Sequence, residues 1–94
     1  MRYNRPWTKS NHLLTKLLMD ERAILLNLGS RIRAQRKSIG LTQEALALAA
    51  NVDRSYYGAV ERGERNVTFI TLCRLCVALR CDVAQLANGI PNVI

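Results

Sequence analysis

The run Gly40-Leu-Thr-Gln-Glu-Ala-Leu-Ala47, followed by Asn51-Val-Asp-Arg-Ser-Tyr56 and Glu61-Arg-Gly63, constrains this chain more than any other part of it. It reads as two short helices with very little chain between them. Thr42 or Gln43 opens the first and Asp53 caps the second. The turn between them has room for about three or four residues, so the second helix must cross the first at once. Just inside the second helix stand Arg54, Ser55 and Tyr56. When a helix end enters a DNA major groove, side chains of these types reach base edges and phosphates.

The flanking sequence is helical as well. Leu13, Leu14, Leu17 and Leu18 follow a possible cap at Ser10 or Asn11, and Asp20 with Glu21 offers a second helix start. Leu25, Leu28 and Ile32 continue at helical spacing, so residues 11–38 read as one long helix or as two, ending at Gly40. In the segment from Thr42 to Ala50, Ala45, Leu46 and Ala49 are expected to face inward, with Gln43 and Glu44 outside. The helix from Asp53 stops at Gly63. Thr68 caps another, whose apolar stripe is Ile70, Leu72, Leu75, Cys76 and Leu79. Asp82 caps a short last helix with Val83, Leu86 and Ala87, closed by Asn88-Gly89, and Pro91 bars continuation. Strand signals are absent. The expectation is an all-α domain of five core helices, with an N-terminal helical extension.

Charge narrows the class of partner. The chain has 94 residues with 14 Lys and Arg against 7 Asp and Glu, a net charge of +7. That is one domain with a modest core, and a dimer would help it. Half of the positive charges fall in residues 31–65: Arg31, Arg33, Arg36, Lys37, Arg54, Arg62 and Arg65. Such a balance favours a polyanion, nucleic acid before an anionic membrane. No apolar run is long enough to span a bilayer, and the N-terminal leucines are interrupted by Lys16, Asp20, Glu21 and Arg22, unlike a secretory signal.

An enzyme is not expected. The single histidine, His12, has no obvious acid or thiol partner, and no glycine-rich phosphate loop occurs. Cys73, Cys76 and Cys81 are too few for a structural zinc site without further ligands, so no metal or cofactor is expected. Cys76 and Cys81 read as core packing, in a cytosolic setting that keeps thiols reduced.

The ordered set Leu28-Gly29, Arg31-Ile32-Arg33, Arg36, Gly40-Leu41-Thr42-Gln43-Glu44, Leu46-Ala47, Val52, Arg54-Ser55-Tyr56, Glu61-Arg62-Gly63, Leu72 and Ala78-Leu79 resembles the Cro/C1-type helix-turn-helix family, also called the Xre family. It covers most of the chain, from about Leu28 to Leu86. The run Asp53-Arg-Ser-Tyr56, then Glu61-Arg62 and Arg65-Asn66, is also similar to the controller proteins of restriction–modification systems. The resemblance implies a five-helix, lambda-repressor-like DNA-binding domain over residues 23–88, with an extension at 1–22 and a tail at 89–94. It implies a sequence-specific regulator of transcription, a repressor of bacterial, phage or plasmid type. Such a regulator is cytoplasmic, nucleoid-associated when bound, and acts as a homodimer on an inverted repeat of double-stranded DNA.

Roles follow residue by residue. Thr42 and Gln43 meet a phosphate at a helix N-terminus, or Gln43 is simply solvated. Arg54 reads guanine O6 and N7, and Ser55 bonds a base or phosphate. Tyr56 contacts DNA or is buried, and Tyr57 belongs to the core. Gly58 and Ala59 face outward, their smallness permitting close groove approach. Arg62, Arg65 and Asn66 meet the sugar–phosphate backbone. Arg36 and Glu61 form a partly buried ion pair between helices. Arg80 stands where the family prefers glycine. The dimer surface is expected around Val83 to Ile94, with the N-terminal extension. A rival reading is an antitoxin-like module of the same fold whose extension, residues 1–22, binds a protein.

Overall fold

The structure is a computed structural model that describes Leu13 and residues 19–91. The expectations for the rest of residues 1–18, His12 included, and for residues 92–94 lie outside the described residues. Among the described residues from Glu21 onward there are five helices: α1 (Glu21–Ser38), α2 (Gln43–Ala50), α3 (Arg54–Glu61), α4 (Phe69–Leu79) and α5 (Val83–Ala87). No strand occurs among the described residues. None of their helices is long and apolar enough to cross a membrane.

Each helix begins where a short polar side chain replaces a missing backbone partner. Asp20, Thr42, Asp53, Thr68 and Asp82 are the five caps, accepting from the N–H groups of Ala23, Ala45, Tyr56, Thr71 and Gln85. Asp82 and Gln85 reciprocate in a capping box. Chain reversals use left-handed residues. Gly40 has φ of 76°, but Asn51 (φ 55°) and Arg80 (φ 59°) adopt the same region with side chains. Arg80 therefore keeps the turn geometry that glycine would supply, at a steric penalty.

The core gathers Ile32 of α1, Leu46, Ala47 and Ala50 of α2, Tyr57 and Val60 of α3, Leu72, Leu75, Cys76 and Leu79 of α4, and Leu86 of α5. Two inward-facing assignments are corrected. Ala49 is exposed and Ala47 and Ala50 are buried in its place, with Ala45 half-buried. Leu46 and Leu48 are two positions apart, roughly opposite each other on a helix, so burying Leu46 leaves Leu48 82 % exposed. Ile70 is also corrected, being 64 % exposed at the start of α4. Leu72, two positions on, takes the inward direction instead. Cys76 is buried and Cys81 packs half-buried against the core. Burial pushes the Cys76 thiol up to about 12, so this sulfur stays protonated and inert.

α1 packs on α3, α4 and α5, and α2 packs on α3 and α4. The α1–α3 crossing is close because Gly29 has no side chain. A Cβ there would lie 2.5 Å from the carbonyl oxygens of Val60 and Glu61. That approach brings the C-terminal end of α3 onto α1 and places Glu61 opposite Arg36.

Candidate nucleic-acid interface

Three residues, Asn51, Val52 and Asp53, join α2 to α3. Asn51 turns the chain in the left-handed conformation, and the Val52 N–H donates to the Ala47 carbonyl at 3.0 Å. Val52 is half-buried against the core, so the turn is anchored by packing as well as by hydrogen bonds.

One buried carboxylate then fixes this pair of helices against α1. Arg36 Nε donates to Glu61 Oε2 at 2.6 Å and Arg36 Nη2 to Glu61 Oε1 at 3.1 Å. Arg36 Nη1 donates to the Leu41 carbonyl at 2.8 Å. Gln43 Nε2 donates to Glu61 Oε1 at 2.8 Å. Glu61 thus ties α3 to both α1 and the first residue of α2. Burial alone would raise its carboxyl, but the hydrogen bonds from Arg36 and Gln43, with the Arg36 charge, hold it below the ordinary carboxylate value. Arg36 is raised in turn by its hydrogen bond to Glu61. The buried Tyr57 hydroxyl lies close to this pair without a hydrogen-bond partner, and burial raises it above the ordinary tyrosine value.

The remaining predicted site residues belong to α3, to the loop after it and to the α2 cap, and Asn66 stands apart from the others, beside Met19, Glu21, Ile24 and Leu25 at the start of α1. Arg54 and Ser55 are exposed in the first turn of α3. Tyr56 is half-buried, and the Arg65 guanidinium lies over its ring, 5.3 Å from the centroid. The contact holds Arg65 beside α3 instead of leaving it free in the following loop. Arg62 is exposed and its Nε pairs with Glu64 Oε2 at 3.2 Å. Asn66 is exposed and Ala59 half-buried. Thr42 is exposed, but its hydroxyl oxygen already accepts the Ala45 N–H at 3.0 Å, which leaves its O–H as the group that can donate outward. Gln43 donates to Glu61, so its amide orientation is set, because a carboxylate accepts only from the NH2 side.

Gly58 lies on the outward side, as expected, but it is not open to solvent. It is buried because long neighbours cover it. A Cβ at Gly58 would lie 3.2 Å from Arg54 Nη1, 3.2 Å from Arg62 Nη1 and 3.6 Å from Gln43 Oε1. The signal was legible: residues 54, 58 and 62 stand four apart, which stacks them on one helix face.

Other positive charges serve the fold. Arg31 donates from Nη1 to the carbonyls of Leu86 and Asn88, closing the end of α5. Arg22 Nη1 donates to the Gly63 carbonyl at 3.2 Å. Neither use could be read from the sequence, since partners 41 and 55 positions away are brought near only by folding. No group of three His, Cys, Asp or Glu side chains placed to hold a metal occurs among the described residues.

Comparison with known proteins agrees with this geometry. The helix-turn-helix family profile matches residues 32–86. The control protein C.SmaI of Serratia marcescens is 44 % identical over 76 residues, covering 79 % of this chain and 87 % of that protein. The crystal structure of the restriction–modification controller protein C.AhdI from Aeromonas hydrophila superposes with a TM-score of 0.67 at 44 % identity, covering 68 % of this chain and 97 % of that one. The controller C.Esp1396I, solved as a tetramer with its natural 35-base-pair operator, superposes with a TM-score of 0.63 at 32 % identity, covering 67 % of this chain and 83 % of that one. The all-α fold, the cap-and-turn pattern of α2 and α3 and these relatives together place the chain in the helix-turn-helix family of Cro/C1 (Xre) type, alongside the restriction–modification controller proteins.

Proposed function

We propose that this protein is a sequence-specific double-stranded DNA-binding regulator of transcription, of repressor type, acting as a homodimer on an inverted repeat. The observation that carries the reading is the convergence of Gln43, Arg54 and Arg62 on the outer side of α3, with the helix held in place by the buried Arg36–Glu61 pair. In this reading α3 enters the major groove. Arg54 and Ser55 contact base edges, while Thr42 and Gln43 meet a phosphate at the start of α2. Tyr56, Ala59 and Arg65 line the same approach, with Arg65 on the backbone, and Asn66 is assigned a backbone contact from the loop beside the start of α1. The operator complex of C.Esp1396I supports an assembled DNA-bound form by relationship. Residues 23–88 would form the DNA-binding unit, flanked by 1–22 and 89–94, and work in the bacterial cytoplasm at the nucleoid without enzymatic activity or cofactor.

The test is selection of bound duplexes from a random pool, followed by affinity measured against salt. An inverted repeat with half-sites about 34 Å apart should be enriched, and Arg54→Ala should lose selectivity at one base pair of each half. Enrichment of nothing by the folded protein would reject the reading.

The antitoxin-like alternative draws on one observation. Leu13 and Met19, in the N-terminal extension, are 57 % and 43 % exposed. A chain lacking residues 1–18 keeps the Asp20 cap. If residues 1–18 serve a protein partner and not DNA, that chain loses the partner while binding its operator unchanged.

A further inference from the structure

Gly58 is the residue in the site that local structure opposes. Glycine inside a helix weakens it by about 1 kcal/mol relative to alanine. Nothing in the backbone requires it, since Gly58 has no left-handed φ, unlike Gly40, Gly63 and Gly89. No packed backbone excludes a side chain either: the nearest groups are the ends of flexible side chains, Arg54 Nη1, Arg62 Nη1 and Gln43 Oε1. The two guanidinium groups therefore close over a bare helix turn from the positions one turn before and one turn after it.

That arrangement is poorly neutralised. Among the described residues, no carboxylate pairs with Arg54, and Arg62 uses Nε for Glu64, which leaves its Nη1 over Gly58. Two like charges brought together at the groove-facing side of a helix repel each other, and an acceptor-rich group placed between them relieves the repulsion. The Gln43 carbonyl oxygen, the third atom near that position, is a neutral acceptor and carries no charge to offset theirs. The major-groove edge of guanine presents O6 and N7, the acceptor pair that a guanidinium matches with two hydrogen bonds.

Resting on the DNA-binding reading above, we infer that Gly58 is a positioning residue for base recognition: its missing side chain seats Arg54 and Arg62 as one fork that reads guanine in each half-site. Arg62 thereby becomes a base-reading residue, in addition to any backbone contact. Gly58 touches no base and acts only through the two arginines.

The experiment compares wild type, Gly58→Ala and Gly58→Leu on the selected duplex and on the same duplex with each guanine of the half-site replaced. Alanine displaces the arginine ends by a few tenths of an ångström, and leucine occupies their seat. Operator affinity should fall in the order wild type, Ala, Leu, by about tenfold for Leu, with the preference for one guanine lost. Both substitutions should leave the melting temperature unchanged or raised, because both residues favour helix more than glycine does. Each is then repeated in an Arg54→Ala, Arg62→Ala background, where the substitution at position 58 should have no further effect.

Three results would overturn the inference. One is wild-type affinity and preference in Gly58→Leu. Another is a loss that persists undiminished without the arginines, which would mean simple obstruction of the groove. The third is equal weakening of every duplex with a flatter salt slope, which would assign the fork to phosphate. If wild type itself enriches no duplex, the DNA-binding reading fails first and this inference with it.

Discussion

At Glu61 a single carboxylate accepts hydrogen bonds from α1 and α2 while belonging to α3. Such a group is stabilising only as a set. Removing the carboxylate leaves the Arg36 guanidinium in a site where its residue is 8 % exposed, with only the Leu41 carbonyl still bound to it. Loss of one partner of a buried pair costs about 3–5 kcal/mol, a large part of what a small domain has. Glu61→Ala should therefore lower the denaturation midpoint sharply, and a midpoint within experimental error of wild type would contradict the role given to this pair. The same site sets an acid response. The folded-state value of Glu61 lies below that of the unfolded chain. In the window between the two values the unfolded chain binds the proton and the folded one does not. Stability is thus complete above the ordinary glutamate value of about 4.3 and declines as pH falls through the lower folded value. Denaturation curves between about pH 3 and 6 should show this decline in wild type and a shallower one in Glu61→Gln, which has no proton to take up. Equal slopes would mean that other carboxylates dominate acid unfolding.

Element boundaries were largely legible because five polar residues announce them. Asp20, Thr42, Asp53, Thr68 and Asp82 each precede an apolar-periodic run, and each caps a helix. The inward phase of α2 was not legible. Its sequence, Gln-Glu-Ala-Leu-Ala-Leu-Ala-Ala, offers apolar residues on every side, and only contact with α3 and α4 selects Leu46, Ala47 and Ala50. The pairing of Arg36 with Glu61 was accessible through family resemblance, whereas the Gln43 bond to the same carboxylate was not, because nothing in one sequence distinguishes that use from contact with phosphate. Glycine positions need the same tertiary information. Helix propensity alone says that Gly29→Ala should stabilise α1. The structure reverses the sign, because the new Cβ would meet backbone carbonyls of α3 at 2.5 Å. Backbone cannot yield as a side-chain end does, so Gly29→Ala should destabilise by about 1–3 kcal/mol and loosen the α1–α3 crossing. A melting temperature at or above wild type would show that the crossing is not this close. Arg80 gives the opposite case. It holds the end of α4 at φ 59°, a conformation that costs a residue with a Cβ about 1 kcal/mol or more. Arg80→Gly should raise the melting temperature, and a fall would show that the arginine side chain itself supports the turn.

For the molecule as a whole, the decisive surface is one that the core leaves uncovered. On α4 the residues Leu72, Leu75, Cys76 and Leu79 face inward. Beside them runs a second apolar stripe, with Phe69 65 %, Ile70 64 % and Val77 80 % exposed and Cys73 half-buried between them. The short α5, by contrast, buries Leu86 and half-buries Val83 and Ala87, so it offers less apolar surface than its sequence suggested. In the dimeric reading, the α4 stripe is the part of this face best suited to a second copy, since contiguous exposed apolar surface is where small proteins associate. Dimerisation matters energetically because two linked half-sites gain far more affinity than either alone, commonly about 100-fold or more. In that reading, Val77→Glu would place two carboxylates across the α4 face without changing any residue of α2 or α3. The expected result is a monomer in sedimentation at micromolar concentration, with full-operator affinity reduced by about 100-fold and affinity for an isolated half-site unchanged. Fold content by circular dichroism should not change, because an exposed valine contributes little to the core. A variant that still sediments as a dimer would move the interface to α5 and the tail beyond Gly89. A variant that loses half-site binding as well would mean that the α4 stripe supports the reading helices themselves, and the separation between an assembly face and a DNA face would have to be abandoned.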